Sequence, residues 1–351
     1  MGPKKQKRPS RLTRQQKLLI AVAAVLAVVL VAVVACQSLF VRPELPDKGT
    51  GPDGSAQEID WGEGVRPRSD GERKSEDYYT VLILGRDTGG GGNTDTMLLA
   101  SYDVTNQKAT VMSIPRDTMV NVSWDIKRIN SVYNWYGGGE KGIQNLYKEI
   151  SQLVGFEPDY QVVVEWDAVG EIVDAMGGVW FDVPRDMNYD DPYQDLHIHQ
   201  EAGYRKLSGE DAMEVIRWRK NNGEPSPGDV GRIQIQQDFL SAVLDKCLQP
   251  ATLLKAPALA QVFLNNVTTD LTVGNILAFA QLAIGMDPES DVKFSTMPYT
   301  GVMYDRASLV LPVEKELLEI LNSGMNPYVD QIQSSDLQLM YKKSGGGYGV
   351  T

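Results

Sequence analysis

The stretch YTVLILGRDTGGGGNTDTMLLASYDVTNQKATVMSIPRDT, residues 79–118, decides how the rest of the chain is placed. Tyr79–Leu84, Thr96–Tyr102 and Ala109–Ile114 are short apolar runs of strand length, each bounded by turn residues. Apolar residues at Ile143, Leu146, Ile150, Leu153 and Val154 then follow a helical spacing. Three strands and a helix in that order predict a sheet covered by helices.

Working outward, the alternation continues. Tyr160–Trp166 has strand composition, Asp167–Met176 is expected as a helix closed by Gly177-Gly178, and Val179–Val183 as another strand. Ser208–Lys220 is expected to be a helix with serine at its N-cap and acids in its first turn. Helices around 228–248 and 272–286, a strand at Val292–Met297 and a helix at Pro312–Asn322 complete the pattern. The fold class is α/β, with a mixed central β-sheet flanked by helices in one domain over about 78–331.

The flanks are different in kind. Residues 1–17 carry seven Lys or Arg and no acid, and Leu18–Cys36 is an uncharged apolar run. At about 1.5 Å per residue that run just crosses a bilayer core of about 30 Å. The upstream cations place the N-terminus in the cytoplasm and the body outside, so a single-pass cell-membrane protein is expected. A cleaved leader with Cys36 as a lipidated residue is the competing reading. Residues 37–77, rich in Pro, Gly and charge, are expected to form a flexible extracellular stalk, and 332–351 a disordered tail.

Net charge is −12, and without the basic tail −12 − 7 = −19, which argues against nucleic acid as a partner. The two cysteines, Cys36 and Cys247, give no disulfide framework, and Cys247 is expected in the core. His197 and His199 are the only histidines; they could form a two-ligand metal pair on a strand, with no cysteine or third histidine in support. That scarcity, and the lack of Gly-x-Ser-x-Gly, argue against a Ser-His-Asp hydrolase. Trp124, Tyr133, Trp135 and Tyr136 fit a core or rim, or a saccharide platform.

Against this acidic background the arginines stand in tight motifs: Arg116 in SIPRDT, Arg217 and Arg219 in RWR, and Arg232 in GDVGRIQIQQ. Arginine holds phosphate in a rigid fork and keeps its charge, so the group suggests phosphate binding over scattered surface ion pairs. Arg217 and Arg219 lie about 200° apart on a helix, and share a direction only where the helix ends, here expected at Asn221-Asn222-Gly223. Arg232 and Gln236 share a helix face. Asp87 and Asp95 flank a glycine run that can fold back to bring both carboxylates to one point, a plausible Mg²⁺ or Mn²⁺ site; two solvated aspartates are the alternative.

The motifs LILGRD, TDTMLLASYD, VMSIPRDT, RINSVYN, IVDAMGGVWFDVP, LSGEDAMEVIRWRK and GDVGRIQIQQDFL, in this order, resemble the LytR–CpsA–Psr proteins, envelope glycopolymer ligases of Gram-positive bacteria. The resemblance runs from about Tyr78 to Asp330. It implies an apolar tunnel for a polyprenyl chain, with the pyrophosphate of a lipid-linked glycan at its mouth. Carried over by position, Asp87 and Asp95 are similar to the metal-binding aspartates. Arg116, Arg217, Arg219 and Arg232 match the pyrophosphate-binding arginines, with Gln236 a neighbouring contact and Arg128 the basic residue of the Arg-Ile-Asn motif.

Asn93 and Ile235 stand where that family usually has arginine, and Arg86 is placed to compensate for one of them. The implied activity is a metal-assisted phosphotransferase. It moves a glycopolymer phosphate from undecaprenyl diphosphate to a peptidoglycan hydroxyl, with wall teichoic acid or capsule as the polymer class and Asp229 or Asp95 as base. A polyprenyl-diphosphate pyrophosphatase, or a non-catalytic envelope protein binding the same lipid-glycan, are the alternatives.

Overall fold

The computed structural model describes residues 41–46, 60–62, 64–86, 94–193, 196–224 and 229–351. The apolar run 18–36, residues 37–40, 47–59 and 63 of the stalk, and the glycine loop with Asp87 and Asn93 lie outside the described residues. Among the described helices, none is long and apolar enough to cross a membrane.

In chain order the strands are β1 (Tyr78–Arg86), β2 (Thr94–Asp103), β3 (Lys108–Ser113), β4 (Tyr160–Glu165), β5 (Val179–Val183), β6 (Met187–Asp191), β7 (Leu196–Gln200), β8 (Gly203–Leu207), β9 (Val267–Thr269), β10 (Val292–Thr296), β11 (Tyr299–Tyr304), β12 (Ala307–Pro312), β13 (Met340–Lys342) and β14 (Tyr348–Val350). The helices that matter for the site are α1 (Ser131–Trp135), α2 (Gly139–Val154), α3 (Trp166–Ala175), α4 (Gly209–Arg217), α5 (Asp229–Leu248), α6 (Ala256–Asn266), α7 (Val273–Leu282) and α8 (Glu314–Ile320).

Six strands form one mixed sheet in the order β10-β3-β2-β1-β4-β9. β1, β2 and β3 are successively antiparallel, as tight connections allow, while β4 lies parallel to β1 and β10 parallel to β3. Side chains alternate across this sheet, so each strand serves two environments. Leu82 and Leu84 of β1, Met97 and Leu99 of β2 and Met112 of β3 point to one face. There they bury against Leu146, Ile150 and Leu153 of α2 and Leu317 of α8. A second core joins α3, α4 and α5 to β5, β6, β7 and β8, through Val173, Phe181, Ile198, Val215, Trp218 and Phe239.

Local signals explain how α4 is set. Ser208 caps it, accepting from the Asp211 backbone while the Asp211 carboxylate accepts from the Ser208 N–H. A Cβ on Gly209 would sit 2.2 Å from the Gly170 carbonyl oxygen, so glycine is what lets α4 lie directly against α3. Gly177 and Gly178 both take positive φ (81° and 85°) and close α3 as expected.

Two terminal expectations are corrected. Residues 332–351 are folded: Leu337, Leu339 and Met340 are buried, and β13 pairs with β14. Their glycine-rich composition hid three apolar anchors. Part of the expected stalk is also docked. Arg73 grips the buried Asp159 with two bonds of 2.9 and 2.8 Å, and Asp159 also accepts from the Thr80 N–H and hydroxyl at 2.8 and 2.7 Å. A buried carboxylate satisfied on every side holds its segment in place, which a polar linker reading does not anticipate.

Candidate functional site

The face of the sheet opposite α2 is only partly filled. Val81, Ile83 and Gly85 of β1, Leu98 and Ala100 of β2 and Val111 of β3 line two cavities of about 190 and 440 Å³. The cavities share Ile83, Val111 and Leu240, so they lie end to end under α5 and α7. The smaller is bounded by Gly85, Thr96, Ser113 and Gln236; the larger runs on to Tyr79, Cys247, Leu253 and Phe279. Their walls are nearly all apolar, which suits a hydrocarbon rather than water. Cys247 is a wall residue here, and burial pushes its thiol up to about 11, so it stays protonated and inert.

Charge gathers at the Gly85 end. Asp95 directly precedes Thr96, and its two oxygens accept from two guanidinium groups: Arg116 Nη1 at 3.0 Å and Arg219 Nη2 at 3.4 Å. Arg116 enters because β3 ends at Ser113 and Pro115 turns the chain. Its Nε also stands 3.9 Å from Asp117, whose other oxygen pairs with Arg128 Nε at 3.1 Å. Arg232 is buried at 6 % exposure on α5, one turn before Gln236, whose Nε2 donates to the Ile216 carbonyl at 3.2 Å. Arg86, at the end of β1, is tied to Glu165 and donates to the Tyr133 hydroxyl.

The tertiary structure thus brings Arg116, Arg219 and Asp95 into direct contact and sets Gln236 in the cavity wall. Ile216, beside Arg217, and Ile233, beside Arg232, also line the smaller cavity. Arg128 is joined through Asp117, an acid the motif reading did not single out although it follows Arg116 directly. Asp87 and the side chain of Asp229 lie outside the described residues.

Two local details differ from expectation. Helix α4 ends at Arg217, not Lys220, because Trp218 turns extended (φ −62°, ψ 135°) to bury its ring in the second core. That break resolves the conflict between Arg217 and Arg219, which no longer obey helical spacing. Ile235 is buried at 7 % exposure against that same core, so at this position the chain packs an apolar side chain.

Asp95 supplies carboxylate oxygens beside the guanidinium groups, the donor type that Mg²⁺ takes.

A model of the LytR_cpsA_psr family matches residues 54–326, most of the chain. Regulatory protein MsrR of Staphylococcus aureus (strain COL) is 28 % identical over 233 residues, 65 % of this chain and 67 % of MsrR. The Bacillus subtilis (strain 168) polyisoprenyl-teichoic acid–peptidoglycan teichoic acid transferase TagV is 26 % identical over 232 residues, 64 % of this chain and 56 % of TagV. Among solved structures, B. subtilis TagV superposes with a TM-score of 0.61 at 22 % identity, covering 73 % of this chain and all of that one. TagT bound to LI-WTA gives 0.55 at 20 % identity, covering 74 % and 94 %. At these identities the superpositions establish the mixed α/β fold. The match over residues 54–326 establishes more: this chain belongs to the LytR_cpsA_psr family.

Proposed function

We propose that this protein is a phosphotransferase that moves a glycopolymer, with its phosphate, from an undecaprenyl diphosphate carrier to a hydroxyl of peptidoglycan. One observation carries the reading: the Arg116–Asp95–Arg219 cluster stands beside the Gly85–Thr96 end of an apolar channel. A polyprenyl diphosphate has that bipartite chemistry, a hydrocarbon tail joined to two phosphates. The teichoic acid transferase name of TagV supports a teichoic-acid-type polymer and a peptidoglycan acceptor. The basic tail and apolar run at 1–36 support a membrane anchor that keeps the domain beside its lipid substrate on the outer surface.

In this reading Arg116, Arg219, Arg217 and Arg232 hold the two phosphates, and Gln236 orients them at the channel mouth. The acceptor hydroxyl attacks the phosphorus nearest the sugar. The bond to the bridging oxygen breaks, the phosphodiester to the wall forms, and undecaprenyl phosphate leaves. Fixed guanidinium groups stabilise the charge that accumulates on the leaving phosphate, without the reorganisation that water would require. A Mg²⁺ or Mn²⁺ ion held by Asp87 and Asp95 supplies further neutralisation of that charge when bound. Asp95, held by two arginines, is a poor base, which leaves Asp229, at the first residue of α5, to take the hydroxyl proton.

The test uses the full chain in detergent with a synthetic short-chain polyprenyl diphosphosaccharide and peptidoglycan fragments, with products identified by mass spectrometry. A sugar-phosphate–glycan conjugate is expected, and Arg116→Ala should lower its rate by about 10²–10³-fold. Undiminished turnover by a folded Arg116→Ala variant would refute the assignment. Release of sugar phosphate to water with no conjugate would make the protein a hydrolase.

A further inference from the structure

The β6–β7 hairpin carries the only two histidines of the chain, and neither has a part in the reaction above. Its register pairs Asp190 with His197 and Asn188 with His199. Residues at alternate positions share a face, so these four polar side chains stand together on the solvent side. Met187, Ile198 and Gln200 are buried on the other. On that outer face His197 Nδ1 lies 2.6 Å and His199 Nε2 3.3 Å from the same oxygen, Asp190 Oδ1. The three ligand atoms all fall within 4.8 Å of one another.

We infer that Asp190, His197 and His199 form a binding site for a divalent transition metal of the zinc class, separate from the arginine cluster. Imidazole and carboxylate are the ligand types such an ion takes, and three protein ligands leave a fourth position for water. A tetrahedral ion with bonds of about 2.0–2.2 Å sets its ligand atoms about 3.3–3.5 Å apart. The Asp190–His199 pair already has that spacing. The Asp190–His197 pair opens to it by less than an ångström, within reach of exposed side chains.

His199 also has its outer support in place. With Nε2 on the metal, its Nδ1 faces Asn188 Oδ1 at 3.5 Å, the kind of acceptor that fixes the tautomer of a metal-bound imidazole. Magnesium is disfavoured, since it prefers oxygen ligands in an octahedron.

The site has a physical route to the rest of the molecule. The hairpin holds the turn after α4: Asn222 N–H donates to the Asn188 carbonyl at 3.0 Å, and the Asn188 N–H donates to Asn221 Oδ1 at 2.8 Å. That oxygen also accepts from Trp218 Nε1 at 3.0 Å, and Trp218 lies between Arg217 and Arg219. An ion joining β6 to β7 therefore braces the segment that presents both arginines.

The experiment titrates Zn²⁺ alone into the full chain by calorimetry, with excess Mg²⁺ present to occupy oxygen-only sites. The pH is set about one unit above the ordinary histidine value of about 6.5, to limit competition between protons and metal. One saturable site is expected, with affinity lowered at least about tenfold in each of His197→Gln, His199→Gln and Asp190→Asn. The metal-free melting temperatures of these exposed-residue variants should match the parent, which keeps a folding defect from imitating lost binding. Hydrogen exchange should slow on Zn²⁺ addition over 187–200 and over the 221–224 turn, and not in the His197→Gln variant. No saturable binding, or binding indifferent to all three substitutions, would overturn the inference, since the trio would then be a hydrogen-bonded surface cluster only.

Discussion

Replacing Ala100 by phenylalanine would cut the channel in two. Ala100 pairs with Val81 on β1 and Val111 on β3, all three in the cavity wall, so it lies between the Gly85–Thr96 mouth and the Tyr79–Phe279 end, nearer the latter. At about 3.3 Å per residue, the mouth stands roughly 13 Å from Ala100 and 20 Å from Tyr79. A ring projecting from position 100 displaces about one five-carbon isoprene unit, and at about 0.8 kcal/mol per buried carbon this forfeits about 4 kcal/mol. Ordering costs of the bound tail reduce the net loss to about 2–4 kcal/mol, or about 30–1,000-fold in affinity.

The assay must avoid micelles and bilayers, because a tail leaving the channel for lipid loses almost no apolar burial. With water-soluble diphosphosaccharides, a three-unit prenyl chain should bind about 30–1,000-fold more weakly to Ala100→Phe than to the parent. A one-unit chain, reaching only the mouth, should bind both alike. The arginine cluster is untouched, so turnover at saturation should persist. Equal affinity of parent and folded variant for the three-unit substrate would refute the channel as the site of the tail.

Two further outcomes follow from other parts of the structure. Leu337 is fully buried in the main core, so Leu337→Ala should cost about 2–5 kcal/mol in urea unfolding; no loss would mean that the C-terminal segment does not dock. On α2, burial raises the Glu149 carboxyl from 4.5 to about 7, and Lys148 offsets this only in part. The folded state therefore keeps this proton to higher pH than the unfolded chain, and the carboxyl costs stability progressively as pH climbs from about 4.5 to 7. Glu149→Gln should be near neutral in acid and stabilising by about 1–3 kcal/mol at pH about 8. An equal effect in acid and at alkaline pH, in thermal melts, would refute the buried-carboxyl account.

The sequence alone determined what is local. Short apolar runs marked β1 to β4, helical spacing marked α2, and the serine-acid signature marked the start of α4, because each is written within a few residues of chain. The motifs also named Arg116, Arg219 and Asp95 as one functional group although Arg219 lies far along the chain from the other two; their contacts are in the structure.

What only the tertiary structure decided depends on which face of an element finds a partner. Strands with apolar residues on both faces, as in VLIL and MLLA, predict burial on both sides; that one side borders an open channel follows from how far α5 and α7 stand from the sheet. The β6–β7 hairpin was legible only in the strand expected at His197 and His199, since MNYDD and LHIHQ are too polar to signal a paired hairpin and form it by packing Met187 and Ile198 under a solvated outer face. Likewise Trp218, by burying its ring, ends α4 at Arg217, three residues before the expected end at Lys220, and aims Arg219 at Asp95, because hydrophobic burial outweighs the small preference for one more helical turn.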